Sequence, residues 1–174
     1  MKDTEASDHA CGGAWGKFGT RIYRVDEERA RMGVLENLGA MMRMHARGLE
    51  YGWAAQRALV ENKGNGPAMK QLAEDPESVA LLSSRYGPEG LSILGMIELV
   101  EPYKSKAARA DGVSPQITEM HRVYLKHPDI SEWTELYMEE MATFNPEIKH
   151  QVDDRVDCTS AALRHLDVGD LAFV

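Results

Sequence analysis

The chain has 174 residues, 43% of them hydrophobic and 28% charged, with a formal net charge of −8, the make-up of one domain able to bury a proper core. No apolar run reaches the ~18 residues a membrane span needs, and two cysteines, Cys11 and Cys158, do not make a disulfide framework. With no charged-then-apolar leader at Met1, a cytoplasmic protein with reduced thiols and no membrane contact is expected.

Residues 1–18 lack periodicity and contain three glycines; they read as a flexible arm, leaving 19–174 as a helical domain. Gly19 to Val25 reads as a short edge strand. Asp26 looks like an N-cap, with Glu27 and Glu28 in the first turn where the helix dipole favours carboxylates. From there the composition is helical as far as Asn62. Arg29, Glu36, Arg43, Glu50 and Arg57 recur every seven residues with alternating sign, a solvated and mutually compensating stripe. Leu35, Leu38, Met42, His45 and Leu49 mark the side opposite. Unbroken, residues 26–62 would make a rod of roughly 50 Å at about 1.5 Å per residue.

Lys63-Gly64-Asn65-Gly66 is a stop and turn, and Pro67 and Pro76 suit the first positions of two short helices, 67–74 and 76–86. From Glu89 to about Ala110 the sequence is apolar nearly all round, as in a helix at the centre of a bundle. Asp111-Gly112 reads as a turn and 114–126 as a helix. Ile130, Trp133, Tyr137, Met141 and Phe144 form the apolar stripe of the next helix. Ile148, Val152, Val156, Leu163 and Leu166 form the buried face of the last. The expected fold is therefore all-α, a single-domain bundle of six or seven helices with one long N-terminal helix.

The charge is distributed unevenly, which bears on partners rather than on fold. Residues 17–70 carry ten Lys/Arg against six Asp/Glu, and 129–174 carry eleven Asp/Glu against three Lys/Arg. Glu132, Glu135 and Glu139, with Asp153 and Asp157, read as an acidic strip for a basic protein partner, or for the basic end of a second copy in a homo-oligomer. On this reading the protein is a non-enzymatic regulator, adaptor, inhibitor or assembly factor without a cofactor.

Two alternatives stand beside it. A nucleic-acid-associated regulatory or packaging factor would use the basic 17–70 region, with Arg57, Lys63 and Lys70 contacting phosphate from a helix–turn–helix around the KGNG turn. A metal-binding protein would use Glu147, His150, Asp154, Cys158 and His165 on the last helix. Glu147-x-x-His150 has di-iron spacing, and His150, Asp154, Cys158 and His165 share one helical face, a donor set suited to zinc or iron.

Overall fold

The computed structural model describes residues 10–101, 105–145, 147–148, 153–166 and 172–173. Among them are strands β1 (Ala10–Phe18), β2 (Arg21–Ala30), β3 (Arg57–Glu61), β4 (Ile97–Val100), β5 (Val123–Leu125) and β6 (Ala172–Phe173). Helices are α1 (Val34–Glu50), α2 (Gly66–Glu74), α3 (Pro76–Tyr86), α4 (Lys106–Thr118), α5 (Trp133–Thr143) and α6 (Asp154–Leu166). The strands form one six-stranded sheet in the order β4-β3-β6-β1-β2-β5. β1 is antiparallel to β2 and β6, while β3–β4, β3–β6 and β2–β5 are parallel.

Successive strand side chains point to opposite faces, and the core follows that rule. Ala14 and Ala58 pack with Leu38, Met42, Leu82 and Ile93 on one side. Their neighbours Trp15 and Leu59 pack with Val113, Tyr137, Leu163 and Leu166 on the other. Helices α1–α3 thus cover one face of the sheet and α4–α6 the other, a three-layer α/β/α arrangement. The expected all-α bundle is corrected to this mixed fold.

The long rod fails at both ends. Its seven-residue charge repeat is real in sequence, but Arg29 lies on β2, Glu36, Arg43 and Glu50 on α1, and Arg57 on β3. Asp26 caps nothing; it accepts a 2.8 Å hydrogen bond from Arg47 Nε. Glu28 accepts from Arg43 and from Arg47 Nη1, the latter at 3.0 Å. The compensating charges therefore join α1 to β2 instead of running along one helix.

β2 escapes the alternation test because its inward residues are charged and out of phase. Ile22, Arg24 and Glu27 are buried. The register passes from Ala14↔Asp26 to Trp15↔Arg24, leaving Val25 as the extra residue of a β-bulge, so the inward spacing becomes three at that point. The expected arm of residues 1–18 falls partly on β1; residues 1–9 lie outside the described residues.

Three other segments differ from expectation. The apolar run after Glu89 is a 3₁₀ turn, Leu91–Met96, leading into β4. It is apolar all round because Ile93, Leu94 and Ile97 sit inside the core beneath α1. The expected helix at 114–126 is the second half of α4, which runs through Asp111-Gly112 and Pro115, followed by β5. The supposed first helix of a helix–turn–helix contains β3, so that motif is absent. Helices α2, α3 and α5 stand where the prolines and the apolar stripe place them. Asp75 caps α3, its side chain accepting from Ser78 N–H at 2.8 Å.

Candidate active site

Strands β3 and β4 run parallel, and each ends in a carboxylate: Glu61 closes β3, and Glu101 follows Val100 of β4. Open α/β sheets bind ligands outside the carboxyl ends of their parallel strands. The sheet edge here is shaped by a tight turn, in which Lys63 N–H donates to Glu61 O at 2.8 Å and Gly66 N–H to Lys63 O at 3.0 Å. Gly64 takes a left-handed φ of +54° in that turn. Asn62 N–H donates to Val100 O at 2.8 Å, so the pairing of the two strands extends past their ends.

α6 reaches the same edge with its N-terminal turn. Asp157, in that turn, and Glu61 meet on a single guanidinium. Arg109 Nη1 lies 2.5 Å from Glu61 Oε1, and Nη2 lies 2.8 Å from Asp157 Oδ1. The second oxygen of Glu61 is 2.7 Å from Lys63 Nζ. Burial pushes the Glu61 carboxyl up, but the hydrogen bonds and charges of Lys63 and Arg109 outweigh it and hold the group below the usual carboxylate range. Beside the trio opens a cavity of about 420 Å³, lined by Glu61, Glu101, Arg109, Ser160, Arg164 and His165. A concave space of that size flanked by acidic and basic groups fits a charged small-molecule or nucleotide-sized ligand.

What holds α6 in place is a buried ionic chain. Arg155 Nη2 lies 2.7 Å from Glu27 Oε1, and Arg24 Nη2 lies 2.7 Å from Glu27 Oε2. On its other side Arg155 Nη1 lies 3.0 Å from Glu140 Oε2. Arg24 also faces the rings of Trp15, Trp133 and Tyr137, with its guanidinium carbon 4.9, 5.6 and 4.6 Å from their centroids. Asp154 is paired with Arg29 of β2 at 2.9 Å.

The residues singled out in the sequence are distributed as follows. Glu132, Glu135 and Glu139 stand exposed around α5, and Asp153 is partly buried just before α6. Asp157 faces Arg109. Arg57 is engaged by Glu98 on the neighbouring strand, Nε at 3.0 Å and Nη2 at 2.6 Å. Lys63 pairs with Glu61, and Lys70 with Glu74 at 2.9 Å. Arg57, Lys63 and Lys70 thus stand in ion pairs on three different elements.

Among the described residues, the donors of the metal alternative on the last helix do not converge. Glu147 is exposed, His150 lies outside the described residues, and Asp154 is held by Arg29. Cys158 is buried against β1, where its thiol is hydrogen-bonded to Cys11. His165 lines the cavity. α6 is enclosed by the sheet, α4 and α5, so residues on most of its circumference are buried. Among the described residues no group of three or more His, Cys, Asp or Glu is placed to hold an ion.

Glu61 and Arg109 are the residues that sequence reasoning passed over. One signal was present: Ala58-Leu59-Val60 running into Glu61 and a glycine-rich turn is the pattern of a buried strand ending at a functional edge.

No helix among the described residues is long and apolar enough to cross a membrane. No curated protein and no solved structure matches the chain. A family model described as "Terminase RNaseH-like domain" matches residues 2–166. That match overturns the expectation of a non-enzymatic helical regulator docking a basic partner, and sits closer to the nucleic-acid packaging alternative. With almost its whole length covered by that model, over an α/β sheet with carboxylates at one edge, the chain belongs to the terminase RNaseH-like domain family.

Proposed function

We propose that the protein is a nuclease of a nucleic-acid packaging system, hydrolysing phosphodiester bonds at the edge where Glu61 and Asp157 converge. The observation that carries this reading is their convergence on one positive group, the Arg109 guanidinium, at 2.5 and 2.8 Å. Two carboxylates brought together from β3 and α6 repel one another unless a cation lies between them.

A divalent ion suits such a pair. The donors are hard carboxylate oxygens, which favour Mg²⁺ or Mn²⁺, and Mg²⁺ commonly takes one or two carboxylates together with substrate phosphates instead of an all-protein cage. Glu61 and Asp157 would hold it. When bound, such an ion activates water and stabilises charge on the oxygens of an in-line displacement.

The chain itself supplies position and charge. The strand pairing Glu61↔Val100 and the turn at Lys63–Gly66 fix Glu61. The Arg155 network fixes the start of α6, and with it Asp157. Arg109 and Arg164 line the adjoining cavity as cations for the phosphate backbone. The lowered carboxyl of Glu61 stays ionised at neutral pH, ready to bind a cation.

Nicking of supercoiled plasmid in Mn²⁺ or Mg²⁺ tests the reading. The wild type is expected to cut, and Glu61→Gln and Asp157→Asn to lose on the order of 100-fold in rate while keeping a folded circular-dichroism spectrum. Equal cutting by the variants, or none by the wild type, overturns it.

A further inference from the structure

Arg109 is bound more completely than a phosphate ligand should be, yet it borders an open cavity. Its side chain is only 11% exposed, and its two terminal nitrogens are taken up by Glu61 and Asp157. Its Nε, also buried, has no acceptor among the described residues. The Nε atoms of Arg24 and Arg29 are left unpaired in the same way, so it is the position of Arg109 between two carboxylates and an open cavity that sets it apart. The same side chain borders the cavity of about 420 Å³ that it shares with Arg164 and His165.

We propose that Arg109 is a displaceable cation latch: its guanidinium holds Glu61 and Asp157 together until a divalent ion takes its place, and it then turns to a phosphate of the nucleic acid in the cavity. The inference rests on the reading of Glu61 and Asp157 as the ion-holding pair. A singly charged guanidinium and a doubly charged ion compete for the same carboxylate oxygens, so the latch keeps the site assembled and weakens ion binding until substrate arrives. A phosphate then gives the released fork a bidentate partner, and ion and substrate reinforce each other's binding.

The latch predicts opposite changes in two affinities. Calorimetric titration with Mn²⁺ alone should show Arg109→Gln binding the ion about tenfold more tightly than wild type, since its competitor is gone. Binding of a short duplex with Ca²⁺ in place of Mn²⁺ should weaken, and its salt slope should fall by about one. Arg109→Lys, which keeps the charge but not the fork, should retain near-wild-type Mn²⁺ affinity and lose duplex affinity. It also serves as the folded comparison if the glutamine variant melts without Mn²⁺, in which case restoration of the wild-type melting temperature by Mn²⁺ supports the latch.

Mn²⁺ affinity in Arg109→Gln equal to or weaker than wild type overturns the latch while leaving the site intact. If Glu61→Gln and Asp157→Asn bind Mn²⁺ as tightly as wild type, the site reading itself fails and the latch with it.

Discussion

Arg155 is tied to a single carboxylate by both its side chain and its backbone: Nη1 lies 3.0 Å from Glu140 Oε2, and its main-chain N–H donates to Oε1 at 2.6 Å. Glu140 therefore joins α5 to the first turn of α6 and balances a guanidinium shared with Glu27 of β2. Removing Glu140 leaves Arg24 and Arg155 sharing Glu27 alone, a buried group with one unbalanced positive charge. Glu140→Ala is expected to cost about 3–5 kcal/mol of unfolding free energy, measured by urea denaturation with an unchanged m-value. A loss below about 1 kcal/mol, the range of exposed pairs, would mean that water reaches the network.

Gly66 closes the turn that carries Glu61. A Cβ added at Gly66 would lie 1.9 Å from Glu61 O, and backbone at that distance must move. Gly66→Ala should therefore displace Glu61 and lower both the melting temperature and plasmid nicking. Gly112, in α4, is the control: a Cβ there meets nothing within 4 Å, so Gly112→Ala should stabilise by about 0.5–1 kcal/mol through helix propensity alone. Parallel melts of the two variants decide the matter; matched effects would remove the steric account of Gly66.

Local signals read well where local chemistry decides. Pro67 and Pro76 place α2 and α3, and the Trp133/Tyr137/Met141 stripe places α5, because proline's fit to a first turn and helical periodicity act over a few residues. Most strand residues were hidden for identifiable reasons. The edge strand expected at Gly19 to Val25 falls on the first half of β2, which lies between β1 and β5; the second half was missed because Glu27 turns inward and the bulge at Val25 breaks the period. β3, β4 and β5 are five, four and three residues long, too short to stand out from helical neighbours. The site was harder still. Arg109 is 48 residues from each of its two carboxylate partners, and only the packing of α4 against α6, with Arg109 reaching Glu61 of β3, unites them. Asp157 was legible as an acidic residue, but its role depends on that long-range meeting.

His45 gives the structure a pH response that can be measured apart from the active site. It lies on α1 at 1% exposure, with Nε2 2.9 Å from Ser92 Oγ. Burial lowers its imidazole pKa below the ordinary value. As pH falls through about 6.5, the unfolded chain takes up a proton at this position while the folded chain resists it. The unfolded state then binds more protons, so unfolding free energy decreases with falling pH, until the folded imidazole also titrates. His165 shifts the same way, through burial and then the charges of Arg164 and Arg57. Wild type should thus be less stable at pH 5.5 than at pH 7.5, and His45→Gln should show a shallower slope, with His165 and the Cys158 thiol, which its hydrogen bond with Cys11 lowers to about 7, supplying the remainder. The carboxylates with lowered values, Glu61, Asp75 and Glu98, act only at more acid pH. Urea unfolding of both proteins at the two pH values tests the assignment, and identical slopes would place the protonated imidazole of His45 in contact with water.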